Sequence, residues 1–274
     1  MLSITFETSE SSDHRNWVKN EILKSGLDLL SFEGYTIKNS TVSLLLDRGC
    51  FSIDCANINA LVLFNTLLSN NSFHLKSKVD FAEKLNCKYV FFCYSYINEN
   101  CCIYLLTSDN ATLLESFSTL KEFAEWSNKF RDLVMTSNYE GDDLPILDRR
   151  LRKLGIPWPG NLDYALLKDH IPVALIEFQT TYKLTVAKHC NNDYFLPSPY
   201  RKGDVNRWLA IDIIRKQSKL PLLVIVWSPN ESCIKLKVVD KIVYPSNEET
   251  PKGLMYLSKD LMDINRLLVS LNSY

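Results

Sequence analysis

The apolar residues in the first 110 positions change their spacing several times, which predicts a mixed α/β region. His14–Lys24 and Lys78–Leu85 are expected to be helical, the first because Ser11-Ser12-Asp13 offers caps just before it. Runs rich in aromatic, β-branched and cysteine residues predict two strands joined by a turn at Asn98-Glu99-Asn100. The expected strands, or stretches that contain strand, are Ser3–Glu7, Thr36–Leu46, Phe51–Leu68, Lys88–Tyr96 and Cys101–Thr107.

The rest of the chain continues to alternate between helix and strand. Apolar residues at helical spacing predict a long helix that begins at Asp109 or Asn110 and ends near Met135. The apolar run Leu220–Trp227 is typical of a buried strand. Further helices are expected at Leu144–Leu154, Val205–Gln217 and Leu254–Leu271, and a further strand at Ile234–Val239. The chain is therefore expected to be α/β, with an N-terminal α/β domain of unknown role over residues 1–110 and a second domain over residues 111–274.

A hairpin is predicted in the middle of the second domain. Its first strand follows from Gly160-Asn161-Leu162-Asp163, its second strand is Pro172–Gln179, and Lys168-Asp169-His170 is the turn between them. Both faces of these strands are apolar over most of their length, which is typical of strands covered on both sides. The polar residues of the hairpin collect at its open end.

Asp163 and Glu177 are expected to face each other across this hairpin, with Gln179 two residues further along the same face. Directly opposed side chains lie about 5 Å apart at Cβ. Two bare carboxylates about 4 Å apart repel by about 4 kcal/mol at an effective dielectric near 20, whereas a bound divalent cation turns that repulsion into coordination. The alternative is a hairpin end at the surface, where the three polar side chains are simply solvated.

Composition narrows the class of protein. With 46% hydrophobic and 23% charged residues among 274, the chain is typical of a globular protein. Its longest strongly apolar run is too short to cross a bilayer, and its N-terminus lacks a signal-peptide pattern. Eight cysteines without a CxxC pair favour free thiols in a reducing compartment. A cytoplasmic protein that does not engage a membrane is therefore expected.

Basic residues concentrate around the predicted hairpin. From Arg149 to Lys219 the sequence has 13 lysines and arginines against 6 aspartates and glutamates, a net charge of +7 in a chain whose total is −1. A surface of this sign attracts a phosphate backbone. On charge alone, a set of solvated helix faces that is basic by chance is an equal alternative.

The chain resembles the PD-(D/E)XK nuclease superfamily, which has the restriction-endonuclease-like fold. The resemblance depends on Asp163, Glu177 and Gln179 and on the order of the predicted elements around them. The motif of that family is an aspartate at the start of one strand and a glutamate or aspartate two positions before a lysine on the next strand. The core order is a helix, three strands, a helix and a strand, and the resemblance covers roughly residues 120–230. It implies a mixed central sheet flanked by helices. Gln179 departs from the family's lysine, although some restriction-endonuclease members have a glutamine there.

The resemblance implies a metal-dependent endonuclease of restriction or defence type that hydrolyses phosphodiester bonds, with DNA as the favoured substrate. Asp163 and Glu177 would bind Mg²⁺, or Mn²⁺, together with the backbone carbonyl of Phe178. Gln179 would position the attacking water or complete the coordination shell, but as a neutral amide it adds no positive charge. A homodimer would let two sites cut two strands.

Other residues are assigned accessory roles by the same resemblance. Glu140 is the candidate for an acid that the family sometimes adds from the preceding helix, and Lys183 lies on the strand face of Gln179. The residues expected to contact nucleic-acid phosphates are Lys202, Asn206 and Arg207. Because the lysine is missing, the alternative function is a catalytically inactive module on the same fold that binds nucleic acid or protein. A third possibility is an unrelated α/β protein in which the motif is accidental.

Overall fold

The fold is described from a computed structural model of the chain. The structure describes residues 3–6, 13–132, 145–180, 186, 194–195, 202–243, 252–257 and 261–274. Within these residues, no helix is both long enough and apolar enough to cross a membrane. In chain order the helices and strands are α1 (Asp13–Lys24), β1 (Asp28–Lys38), β2 (Thr41–Phe51), α2 (Ala60–Ser69), α3 (Leu75–Lys84), β3 (Lys88–Ser95), β4 (Cys101–Leu106), β5 (Ala111–Phe117), α4 (Leu120–Asn128), α5 (Ile146–Lys153), β6 (Gly160–Lys168), β7 (Ile171–Thr180), β8 (Tyr194–Phe195), α6 (Lys202–Ser218), β9 (Leu222–Trp227), β10 (Ile234–Val243), β11 (Lys252–Leu257) and α7 (Ile264–Asn272).

The chain divides into two compact units, and each unit is discontinuous in sequence. The first unit comprises Met1–Ser9 and Phe32–Asn161, and the second comprises Glu10–Ser31 and Leu162–Tyr274. The boundary expected after residue 110 lies inside the first unit, between strands β4 and β5, which pair with each other. Helix α1 and the first residues of β1 therefore belong to the same unit as the C-terminal part of the chain.

The first unit contains a mixed sheet in the order β5-β4-β3-β2-β1. Strands β2 and β3 run parallel, and the other neighbours in this order run antiparallel. Phe123 of α4 and Leu151 of α5 are buried in one apolar cluster with Leu46, Phe92 and Ile103 of the sheet. The predicted hairpin of β3 and β4 is confirmed, because these strands pair antiparallel on either side of residues 96–100.

The second unit contains a mixed sheet in the order β6-β7-β9-β10-β11-β8. Strands β7 and β9 run parallel, and the other neighbours in this order run antiparallel. Ile22 of α1 and Leu267 of α7 are buried in an apolar cluster with Leu166, Ile176 and Ile225 of the sheet. The expected α/β class, a large mixed sheet flanked by helices, is thus observed.

The long helix expected from Asp109 or Asn110 to about Met135 is wrong over its first turns. Ala111–Phe117 is instead strand β5, which pairs antiparallel with β4. The helix α4 starts only at Leu120, because the Thr119 side chain accepts the N–H of Glu122 and caps a new helix. Pairing with a neighbouring strand overrode the helical spacing of the apolar residues.

Two other expected elements change type partway along. Strand β2 ends at Phe51, and most of the stretch up to Leu68 is helix α2, capped by Asn59. The helix expected from Leu254 begins only after Asp263, whose side chain accepts the N–H of Arg266; strand β11 precedes it. In both places a capping side chain marks the true start of the helix.

Candidate metal centre

Strands β6 and β7 form the predicted hairpin, which sets the geometry of the candidate site. The turn consists of Asp169 and His170, with φ angles of 51° and 65°, and a type I′ hairpin turn requires positive φ at both central residues. The register pairs Tyr164 with Ile176. The pairs from Tyr164 to Leu166 match the predicted register. Nearer the turn the register shifts between Leu166 and Leu167, so Lys168, predicted in the turn, instead pairs with Ile171 as the last residue of β6.

The two faces of this hairpin have different surroundings. Tyr164 and Ile176 are buried in the apolar cluster that includes α1 and α7. Asp163 and Glu177 are each one position away along their strands, so their side chains lie on the opposite face. Arg207, from the first half of α6, reaches that face.

Asp163, Glu177 and Arg207 contact one another there. Oδ2 of Asp163 accepts a hydrogen bond from the backbone N–H of Phe178 at 3.0 Å. Nη2 of Arg207 forms an ion pair with Oε2 of Glu177 and lies 3.8 Å from Oδ2 of Asp163. A single guanidinium nitrogen therefore bridges the two carboxylates.

Glu177 is the deeply buried member of this group. It is 0% exposed, whereas the side chains of Asp163 and Arg207 are 20% and 30% exposed. Among the residues that the structure describes, Oε1 of Glu177 has no hydrogen-bond partner. Leaving a buried carboxylate oxygen without a partner is costly, and a cation bound at this oxygen would remove the cost.

The environment of Glu177 opposes its ionisation. Burial raises its pKa well above the ordinary value of 4.5, and the neighbouring carboxylate of Asp163 raises it further. The guanidinium of Arg207 acts in the opposite direction and lowers the pKa. A divalent cation at this site would act in the same direction as Arg207, because positive charge favours the ionised carboxylate.

The residues present fit a hard divalent cation. Asp163 and Glu177 offer carboxylate oxygens, the ligands that Mg²⁺ and Mn²⁺ prefer. Gln179 is half-buried and follows Glu177 on the same face of β7. Phe178, expected to offer its carbonyl oxygen, has a further role in the structure, because its N–H orients Asp163.

The other residues assigned from the sequence are only partly placed. Glu140 and Lys183 lie outside the described residues. Lys202 and Asn206 belong to α6, but their side chains lie outside the described part of the structure. Arg207 contacts the two acidic residues, and its expected contact with phosphate stays a prediction.

Two buried lysines on the same sheet face were not singled out from the sequence. Lys237 pairs with Val224 of β9, and Val224 pairs with Glu177, so Lys237 lies two strands from Glu177. Lys235 has the same relationship to Gln179 through a neighbouring residue of β9. Both lysines are 1% exposed. The available signal was two lysines at alternate positions of the predicted strand Ile234–Val239, whose other residues are apolar.

Comparisons of the chain with models of known protein families, with curated proteins and with solved structures find no match. The functional interpretation of this face therefore depends on its own chemistry. That chemistry consists of two adjacent carboxylates, a buried oxygen for which the described ranges offer no hydrogen-bond partner, and an arginine that bridges both acids.

Proposed function

We propose that this protein is a divalent-metal-dependent nuclease that hydrolyses phosphodiester bonds of nucleic acid, with DNA as the expected substrate. The observation that carries this function is the meeting of Asp163 and Glu177 at the open end of one hairpin, where the buried Oε1 of Glu177 has no hydrogen-bond partner within the described part of the chain. Two acids on adjacent strands beside a cationic side chain are what the PD-(D/E)XK resemblance implies.

The order of elements in the second unit supports the restriction-endonuclease-like fold. This unit contains α1, the start of β1 at Asp28–Ser31, and then β6, β7, α6 and β9, with the two-residue strand β8 between β7 and α6. Without the two-residue β8, the order is a helix, three strands, a helix and a strand, with residues 32–161 of the first unit inserted between the start of β1 and Leu162 of β6. Helix α6 connects the parallel strands β7 and β9, as a crossover requires.

Asp163 and Glu177 would hold Mg²⁺ or Mn²⁺ through their carboxylate oxygens. When bound, such a cation activates water and offsets negative charge on the phosphate. The N–H of Phe178 keeps Oδ2 of Asp163 oriented towards Glu177 and Arg207. The amide of Gln179, next along the same face, would donate or accept a hydrogen bond to orient the water.

Positive charge near the acids supports a phosphate-bearing substrate. Gln179 is neutral where the family has a lysine, but Arg207 places a guanidinium at the two carboxylates. The net charge of +7 from residue 149 to 219, to which Arg207 contributes, favours an anionic polymer as the ligand.

Cleavage assays test this function. Supercoiled plasmid and single-stranded DNA are incubated with Mg²⁺ or Mn²⁺, with a chelator as the control. We expect metal-dependent cutting that falls by at least about 100-fold in Asp163→Asn and in Glu177→Gln. Asp169→Asn is the matched control, because it makes the same chemical change at the exposed turn of the same hairpin. Cutting that persists in both site variants would contradict the assignment.

A catalytically inactive nucleic-acid-binding module is the second candidate. It is favoured by the neutral Gln179 and by the ion pair that Arg207 already makes with Glu177. Binding of DNA without cutting, under every metal condition, would establish this function instead. RNA substrates in the same assay decide between the two nucleic acids.

A further inference from the structure

We propose that Arg207 is the internal counter-cation of this site, and that a divalent metal must displace it in order to bind. The inference rests on the proposed function, because it concerns the same two carboxylates. It adds a coupling: the displaced guanidinium becomes available to a substrate phosphate, so metal and nucleic acid promote each other's binding.

The guanidinium of Arg207 lies where a metal ion held by the two carboxylates would bind. Nη2 of Arg207 pairs with Oε2 of Glu177 and lies 3.8 Å from Oδ2 of Asp163. A Mg²⁺ ion shared by these carboxylates would lie about 2.1 Å from an oxygen of each. A cation on Oε1 of Glu177 that also reaches Asp163 would lie close to Nη2 of Arg207, because Oε1 and Oε2 belong to one carboxylate. The like charges of the metal and the guanidinium would repel at this short distance, so the two cations compete for the site.

The location of Arg207 allows its displacement. Glu177 is completely buried, but the Arg207 side chain is 30% exposed, so the guanidinium can move towards solvent while the carboxylates stay in place. The hydrogen bond from Phe178 holds Asp163 independently of Arg207. Metal binding therefore requires a change of one long side chain rather than a rearrangement of the strands.

The released guanidinium has a chemical preference for phosphate. Its planar set of N–H donors matches the oxygens of a phosphate group and can bind two of them at once. Without metal, Glu177 competes with phosphate for Arg207. With metal bound, that competition is removed, so phosphate affinity increases; by thermodynamic reciprocity, a bound phosphate increases metal affinity.

Calorimetric titration with Mn²⁺ in the absence of nucleic acid tests the displacement directly. Arg207→Gln removes the competing cation, and we expect it to bind Mn²⁺ at least about tenfold more tightly than the unchanged protein. Arg207→Lys keeps the charge, so its affinity should stay within about threefold of the unchanged protein. Lys216→Gln removes the same charge from an exposed position on α6 and should leave Mn²⁺ affinity unaltered. Circular dichroism verifies that each variant is folded.

The coupling is measured in the unchanged protein by repeating the titration with a phosphorothioate oligonucleotide that resists cleavage. We expect the oligonucleotide to tighten Mn²⁺ binding by at least about fivefold, and Arg207→Gln to lose this effect. If Arg207→Gln does not fold, the titrations of the unchanged protein with and without the oligonucleotide still decide the coupling. A Mn²⁺ affinity that is the same with and without the oligonucleotide would overturn the coupling.

The outcomes separate this inference from the proposed function. Mn²⁺ binding that Asp163→Asn abolishes but Arg207→Gln does not tighten would overturn the role of Arg207 and leave the metal site intact. Failure of the unchanged protein and of Arg207→Gln alike to bind Mn²⁺ would overturn the metal site, and with it the inference. Cleavage activity is not needed for either decision.

Discussion

The backbone N–H of Phe178 donates a hydrogen bond to Oδ2 of Asp163 at 3.0 Å. The first acidic residue of the candidate site is thus held by the strand that carries the second, Glu177. This contact orients Asp163 without using a side chain of its neighbour. It also means that changes at Asp163 affect both the fold of the hairpin and the charge of the site.

Asp163→Ala and Asp163→Asn are expected to separate these two effects. Both remove the negative charge, but alanine also leaves the partly buried N–H of Phe178 without its acceptor. The unfolding free energy of Asp163→Ala should therefore be lower than that of Asp163→Asn by about 1–2 kcal/mol, the cost of an unsatisfied buried donor. Urea unfolding measures the difference. Equal stability of the two variants would mean that the hydrogen bond contributes nothing.

The pH dependence of stability is expected to change in Glu177→Gln. Because burial raises the pKa of Glu177 in the folded state, the folded protein holds this proton more tightly than the unfolded chain. The resulting stability is fully present below the ordinary pKa of 4.5 and is lost as the pH rises through the higher folded-state pKa. Glutamine does not ionise, so Glu177→Gln lacks this pH-dependent loss of stability. Its unfolding free energy should therefore decrease less than that of the unchanged protein as the pH rises above 4.5.

Urea unfolding of both proteins across a pH series from 4.5 upward measures this difference. Glu231→Gln, at an exposed position in the second unit, is the matched control and should follow the unchanged protein. Parallel curves for Glu177→Gln and the unchanged protein would show that Glu177 has the same pKa folded and unfolded.

Divalent metal is expected to stabilise the folded protein through the same carboxylates. A ligand that binds only the folded state adds about 2.7 kcal/mol at a concentration 100 times its dissociation constant. Mn²⁺ should therefore raise the unfolding temperature of the unchanged protein, a chelator should reverse the increase, and Asp163→Asn should show none. Calorimetric scans provide the measurement. An equal increase in Asp163→Asn would place the metal elsewhere.

A buried ion pair of the first unit, between Arg48 and Asp148 of α5, is expected to contribute more to stability than an exposed pair that also involves α5. Arg48 is 2% exposed and donates two hydrogen bonds, of 3.0 and 2.9 Å, to Asp148 of α5. Asp148→Asn leaves this buried charge poorly compensated and should cost about 3 kcal/mol. Glu99→Gln breaks the exposed pair with Arg150 and should cost less than about 1 kcal/mol.

Urea unfolding compares these two variants. A double change, Arg48→Met with Asp148→Leu, should cost less than the sum of the single changes, because neither member of this pair is then left opposite an uncharged partner. Glu33, whose Oε2 lies 3.7 Å from Nη2 of Arg48, loses its ion pair in Arg48→Met and in the double change alike. Costs for Asp148→Asn as small as those for Glu99→Gln would show that water reaches Arg48.

Local patterns in the sequence were sufficient for the hairpin and for the pairing of its acids. The turn at Asp169 and His170, and the alternation on either side of it, determine which residues share a face, because that depends only on a period of two along each strand. The starts of α2 and α7, capped by Asn59 and Asp263, were not predicted from the sequence.

Contacts between distant parts of the chain decided the rest. Ala111–Phe117 became a strand because β4 offered it a partner, and residues 10–31 joined the second unit although more than 100 residues separate them from β6. Arg207 was expected to contact a phosphate group. Its side chain forms an ion pair with Glu177, which lies 30 positions earlier in the chain. Its basic side chain was evident from the sequence, but its partner depends on how α6 packs against the hairpin, which no local periodicity encodes.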